Sequence, residues 1–268
     1  MRRHRTQRGP SKILYALFFG IFLLFLYGPM ATVILLSFQG PLGTMSFPLK
    51  GFGLTWWRQF LNNPAWGEAI ARSLTLAVIV AALTTVLALL LGLAYRRPFR
   101  GSGLMFYVIL ASAITPGILI SVGTFFLWSY LGLKVHWYNS ALGAQVTWTL
   151  PFGFLIIIAV FNRFNPSFEE AARDLGASGW KAFLETILPL TLPGLVGSFL
   201  FGFTLSFDEF ARTMFVTQEK TLPLQIIDFY SSRTPAFYAL GAATTFFSLL
   251  VLGIASVAIY SFHRITRR

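Results

Sequence analysis

Six stretches of the chain contain no Asp, Glu, Lys or Arg from end to end: residues 13–38, 73–95, 101–133, 137–162, 186–207 and 234–262. A helix needs about 20 mostly apolar residues to cross the hydrocarbon core of a bilayer. Lipid offers no partner for a bare backbone N–H or C=O, so such a run must be helical. The pattern predicts an all-α membrane protein with six transmembrane helices. A short tail, 1–12, precedes a first helix, 13–38. An external segment, 39–67, separates that helix from a five-helix core, 68–262, and 263–268 form a closing tail. The third run is too long for one straight helix and holds Thr115-Pro116-Gly117 near its middle. Proline removes a backbone donor and restricts the residue before it. A kink is predicted at Pro116, serving either packing or a hinge on a pathway.

Composition supports the bilayer as solvent. Of 268 residues, 56% are hydrophobic and 11% charged, against roughly 25% charged in ordinary soluble domains. Mean hydropathy is +0.69. There is no cysteine, which excludes disulfides, thiol catalysis and thiolate metal sites. The formal net charge of +12 invites a nucleic-acid partner, but its placement argues otherwise. Six spans put both termini on one side. That side collects Arg2, Arg3, Arg5, Arg8, Lys12, Arg96, Arg97, Arg100, Arg163, Arg173, Lys181, Arg264, Arg267 and Arg268. Lys50, Arg58, Lys134, Lys220 and Arg233 lie opposite. Cytoplasmic loops gather Lys and Arg, so both termini are expected in the cytoplasm and no nucleic acid is needed. The basic start followed by an apolar run looks like a signal peptide. Its run exceeds the usual 7–15 residues of such a peptide, so an uncleaved first helix is expected.

The loops carry the remaining information. Segment 39–67 includes Trp56-Trp57, a pair suited to the membrane interface. Loop 163–185 is different, with seven charges and two helical signatures. Ser167 and Glu170 have the spacing of a capping box. Phe168, Ala171, Ala172 and Leu175 then share one helix face. Gly176 ends that helix. Trp180, Phe183, Leu184 and Ile187 repeat the spacing before Pro189 closes a second helix. Interfacial lipid-binding helices are Lys/Arg-rich on the polar face, whereas this pair mixes Glu169, Glu170, Asp174 and Glu185 with Arg173 and Lys181. A protein groove that accepts a helix face fits better.

The run Glu170-Ala171-Ala172-Arg173-Asp174-Leu175-Gly176-Ala177-Ser178, followed by Leu188-Pro189, resembles the EAA loop of permeases from binding-protein-dependent type I ABC importers. Thr186 stands where that family usually has Ile or Val. The resemblance covers about residues 68–262 and implies the MetI-like permease fold. It also implies that Glu170, Ala171, Ala172, Asp174, Gly176, Ala177, Leu188 and Pro189 belong to a coupling element seated in a groove of a separate ATPase. Two ATPase subunits, a second permease (a paralogue) and an external solute-binding protein are the implied partners, in a bacterial inner membrane. No Gly-Lys dipeptide occurs, so the chain has no Walker A phosphate loop. It is expected to bind no cofactor itself, with ATP and magnesium on the ATPase.

Ionisable residues within a membrane mark function by default. Asp208 and Glu209 end the fifth run, beside Phe203, Phe207 and Phe210. Acids with aromatic faces suit an organic cation. The competing account is neutralisation by Arg212, four residues after Asp208. With Pro116, the residues Phe207, Asp208, Glu209 and Phe210 form the candidate pathway set. Ser206-Phe207-Asp208-Glu209-Phe210, Phe215-Val216-Thr217 and Thr221-Leu222-Pro223-Leu224-Gln225-Ile226 resemble the spermidine/putrescine permease branch. That branch implies a polyamine substrate; opine, aminoethylphosphonate, thiamine and ferric-iron permeases are its relatives. A self-contained secondary transporter or channel would leave the cytoplasmic helix pair without a task. The three histidines, His4, His136 and His263, lie far apart in sequence, so neither a metal site nor a catalytic residue is expected.

Overall fold

A computed structural model describes residues 10–44, 46–231 and 235–266. The basic residues Arg2, Arg3, Arg5, Arg8, Arg233, Arg267 and Arg268 of the orientation argument lie outside them. The helices are α1 (Pro10–Leu36), α2 (Thr55–Asn62), α3 (Pro64–Tyr95), α4 (Ser102–Ile114), α5 (Gly117–Tyr130), α6 (Leu142–Phe161), α7 (Ser167–Asp174), α8 (Gly179–Ala182), α9 (Leu188–Phe207), α10 (Leu222–Ser231) and α11 (Ala236–Thr266). Single π turns at Trp137–Ala141 and Phe183–Ile187 lead into α6 and α9. Four helical stretches are long and apolar enough to span a membrane: Lys12–Leu36, Pro64–Tyr95, Trp137–Phe161 and Gly179–Phe207. The α4–α5 pair would make a fifth. The sixth run falls in α11, 31 residues long.

Two expectations change. The third run does not kink but breaks: α4 and α5 meet at 101°. Thr115 and Pro116 both sit in extended backbone between them (ψ 126° and 125°). The second span begins not near Ser73 but at Pro64, inside the segment read as external. Proline suits this position, because the first turn of a helix needs no backbone donor.

The chain divides into two compact units, residues 1–63 with 228–251, and 64–227 with 252–268. In the first, α1 is largely exposed along its length, as a lipid-facing helix is. Gly241 of α11 meets α1 so closely that a Cβ there would lie 2.9 Å from Val33. Below α1 the chain turns around Gln39, which is fully buried. Its side chain donates to the carbonyls of Thr44 and Ser46 and accepts from the N–H of Lys50.

The second unit is built on α3, α6 and α9, which pack pairwise on one another. Small residues line the crossings, as they do where membrane helices approach closely. A Cβ on Gly153 of α6 would lie 2.7 Å from Ser198 of α9 and 2.8 Å from Thr84 of α3. A Cβ on Gly92 of α3 would lie 2.5 Å from Ile157. Several polar groups within this core are paired, as a low-dielectric interior favours, although the buried Ser198 hydroxyl has no hydrogen-bond partner among the described residues. The Thr84 and Thr149 hydroxyls bond each other. Gln145 of α6 donates to Thr213 (2.8 Å) and accepts from Ser206.

Candidate functional site

The loop after α6 places the first set of residues. Its helix α7 starts at Ser167, preceded by Pro166. The expected capping box is not formed. Asn165 supplies the cap, its side-chain oxygen accepting from the Ser167 N–H at 3.1 Å. Glu169 and Glu170 occupy the first turn, where the helix dipole favours acids. The far end closes as expected on Gly176, at φ +88°. Gly176 N–H donates to Arg173 C=O (2.9 Å) and Ala177 N–H to Ala172 C=O (3.0 Å). These two bonds make a Schellman motif, which fixes the corner.

Beyond the corner, Ser178 caps α8 by accepting from Lys181 N–H. The second short helix does not end at Pro189. It runs through the π turn into α9 as one helix, Gly179–Phe207. The Leu188 N–H reaches back five residues to Phe183, and this widened turn gives the ring of Pro189 room. One end of the membrane-spanning helix is therefore bent back into α7 through a rigid corner. Leu188 is half-buried and Pro189 exposed. Glu170, Ala171, Asp174 and Gly176 are exposed; Ala172 and Ala177 are half-buried. Phe168, Leu175 and Trp180 stand 55, 89 and 67% exposed, so among the described residues the apolar side of this loop is largely uncovered.

One anchor of α7 escaped the sequence. Arg96, just past α3, donates to Glu169 at 2.5 Å, and Arg173 bonds the other carboxylate oxygen at 2.7 Å. The Arg96 guanidinium also lies over Phe161 (5.6 Å) and Phe164 (5.1 Å). A cavity of about 440 Å³ opens beside it, bordered by Arg97, Glu169, Glu170 and Arg173. Burial pushes the Glu169 carboxyl up, but Arg96 and Arg173 outweigh it and hold the group below the ordinary glutamate value.

The candidate pathway residues 207–210 sit at the other end of α9. Asp208 is the C-terminal cap residue and is exposed. Glu209 is 8% and Arg212 5% exposed. The structure pairs Arg212 with Glu209, not with Asp208. Glu209 accepts from the Arg212 N–H at 2.8 Å and stands 3.6 Å from its guanidinium. Phe207 is buried and stacks on Phe203, centroids 6.0 Å apart; Phe210 is half-buried. The set therefore splits into an exposed carboxylate, Asp208, and a buried neutral pair.

Arg212 also reaches the residues on either side of Pro116. It donates to the Thr115 carbonyl at 3.0 Å and lies 4.2 Å from the Trp148 ring. A Cβ on Gly117 would be 2.8 Å from its Nη1. The fold brings the break at Thr115–Gly117 and the 208–212 segment together, through a residue expected only as a counter-charge. Gln145 was missed as well. Its one available signal was a carboxamide within an otherwise apolar run. Among the described residues no group of three His, Asp or Glu is placed to hold a metal.

A bundle of long apolar helices, one of which continues into an exposed amphipathic corner, defines a multi-pass membrane protein. The chain belongs to the family described as "Binding-protein-dependent transport system inner membrane component", which it matches over residues 84–265. It is similar to the spermidine/putrescine transport system permease protein PotC of Haemophilus influenzae, 32% identical over 88% of this chain and 90% of the relative. PotC of Escherichia coli K12 is 32% identical over 75% and 76%. The putrescine permease PotI of Escherichia coli K12 is 27% identical over 87% and 83%. Among solved structures, a bacterial ABC transporter for import of alginate shares the fold, with TM-score 0.68 and 17% identity over 95% of this chain and 96% of the other. The protein is thus a multi-pass permease component of an ABC importer and not a catalytic enzyme. Such a component works with an ATPase and a binding protein.

Proposed function

We propose that this chain forms half of the translocation pathway of an ATP-driven importer of polyamines, and that α7 with its corner is the coupling element. The observation that carries the coupling reading is the uncovered apolar side of the loop, Phe168, Leu175 and Trp180, held on a Schellman corner continuous with α9. A groove on an ATPase subunit covers that face. When two such subunits close on ATP, the corner carries their movement into α9, since a helix transmits displacement that a loose loop absorbs. Both termini lie on the same side as this loop, the basic side. A second permease completes the pathway.

The substrate reading rests on relatives named for spermidine and putrescine and on Asp208. With Glu209 neutralised by Arg212, Asp208 is left as the exposed carboxylate of the set. A primary ammonium group passing along the pathway meets that carboxylate near the Phe203–Phe207 stack, where cation–aromatic attraction adds to charge pairing. The test is uptake by proteoliposomes holding the whole complex and its binding protein. ATP-dependent uptake of labelled spermidine or putrescine is expected. Uptake of thiamine, an opine or ferric iron in place of either would reassign the substrate while leaving the permease role.

A further inference from the structure

We propose that Arg96 is a positioning residue for energy coupling, tying the coupling helix α7 directly to α3 through Glu169. The inference rests on the reading of α7 as the coupling element. Neither the EAA pattern nor the family resemblance assigns Arg96 a role.

By chain connection alone, α7 can move only two spans: α6, through residues 162–166, and α9, through the π turn. Its helical neighbours in space are α8 and that turn. Yet α3 packs on both α6 and α9 at the centre of the unit. The Arg96 side chain supplies the missing link. It leaves the end of α3, crosses the rings of Phe161 and Phe164 at the end of α6, and meets Glu169 on α7. Three elements share one guanidinium.

Two features separate this contact from an ordinary surface ion pair, whose worth is small. Arg96 and Glu169 side chains are only 21 and 16% exposed. Glu169 is also held from the other side by Arg173, four residues along α7, so its carboxylate has little freedom to swing away. A strut fixed at both ends pulls as well as pushes. The neighbouring Arg97 borders the same cavity but forms no such bridge in the described residues.

The experiment uses the full complex in proteoliposomes and measures substrate transported per ATP hydrolysed, with ATPase co-purification as the assembly check. Arg96→Gln and Glu169→Gln should each lower transport per ATP by about tenfold, the scale of one charge-assisted hydrogen bond, while the ATPase still co-purifies. Arg97→Gln should stay at the parent value. The chain has no cysteine, so Arg96→Cys with Glu169→Cys can be bridged by a bifunctional thiol reagent. Bridging should restore coupling that the two substitutions removed. Unchanged coupling in Arg96→Gln and Glu169→Gln, or equal loss in Arg97→Gln, would overturn the proposal. So would bridging that leaves coupling lost. Loss of ATPase co-purification from the parent protein would instead overturn the coupling reading itself.

Discussion

The guanidinium of Arg212 donates to the carbonyl of Thr115, 97 residues earlier, at 3.0 Å. Thr115 ends α4 immediately before the Pro116 break. The 101° break between α4 and α5 is thus held by a side chain from the segment that follows α9. That segment also carries Asp208, so the shape of the break and the position of this exposed carboxylate are linked.

Arg212→Met should destabilise the protein strongly, because Glu209 would remain buried without its counter-charge. Removing one partner of a buried pair costs about 3–5 kcal/mol. Arg212→Met combined with Glu209→Met should recover most of the loss. Thermal unfolding of the purified chain in detergent measures both. Equal damage from the single and double substitutions would show that the pairing is not the cause.

Asp208→Asn and Glu209→Gln should have different effects. Asp208→Asn should reduce uptake of a cationic substrate by about tenfold, roughly 1.4 kcal/mol of lost attraction, with unchanged melting. Glu209→Gln should lower the melting temperature, since Arg212 loses its ionic partner. The same uptake loss in both, with no change in stability, would return Glu209 to the pathway.

Gly176→Ala should weaken coupling. At φ +88° an L side chain costs about 1–2 kcal/mol, although no atom stands near to clash. The Schellman bonds should fray and substrate-stimulated ATP hydrolysis should fall, while membrane insertion is retained. Normal stimulation would mean that the corner need not be rigid.

The Arg96–Glu169 bridge sets a pH dependence. Glu169 is held below its ordinary value, so its stabilisation is complete above the unfolded glutamate pKa, about 4.3. It is lost as pH falls through the lowered folded value. Amide exchange in α7 should be insensitive to pH-linked opening between neutrality and about pH 5. Protection should collapse only in stronger acid. Collapse near pH 6 would implicate another group.

The apolar helices and the Gly176 corner were legible because their causes are local. A charge-free run of helical length has one solution in lipid, and Gly176 three residues after Arg173 closes a helix without distant help. The capping box expected at Ser167 and Glu170 does not form because Asn165 takes the capping role two residues earlier. The end of α8 was misread because Pro189 looks like a stop, while a π turn lets the helix pass through it. The break at Pro116 was legible as a bend but not as 101°, since its depth depends on Arg212. The Arg96–Glu169 bridge spans 73 residues and has no periodic signature. Pairing of Arg212 with Glu209 and not Asp208 depends on where α9 ends, which fixes which of the two acids turns inward.

The coupling role proposed for α7 has the most direct test. Glu170→Lys changes only the exposed polar side of that helix, and Leu175→Asp only its uncovered apolar side. ATP-driven polyamine uptake by the reconstituted complex should be abolished by each, with the permease still inserted and the ATPase lost or unstimulated. Uptake that persists in both, or that proceeds from the chain without any ATPase, would contradict the account.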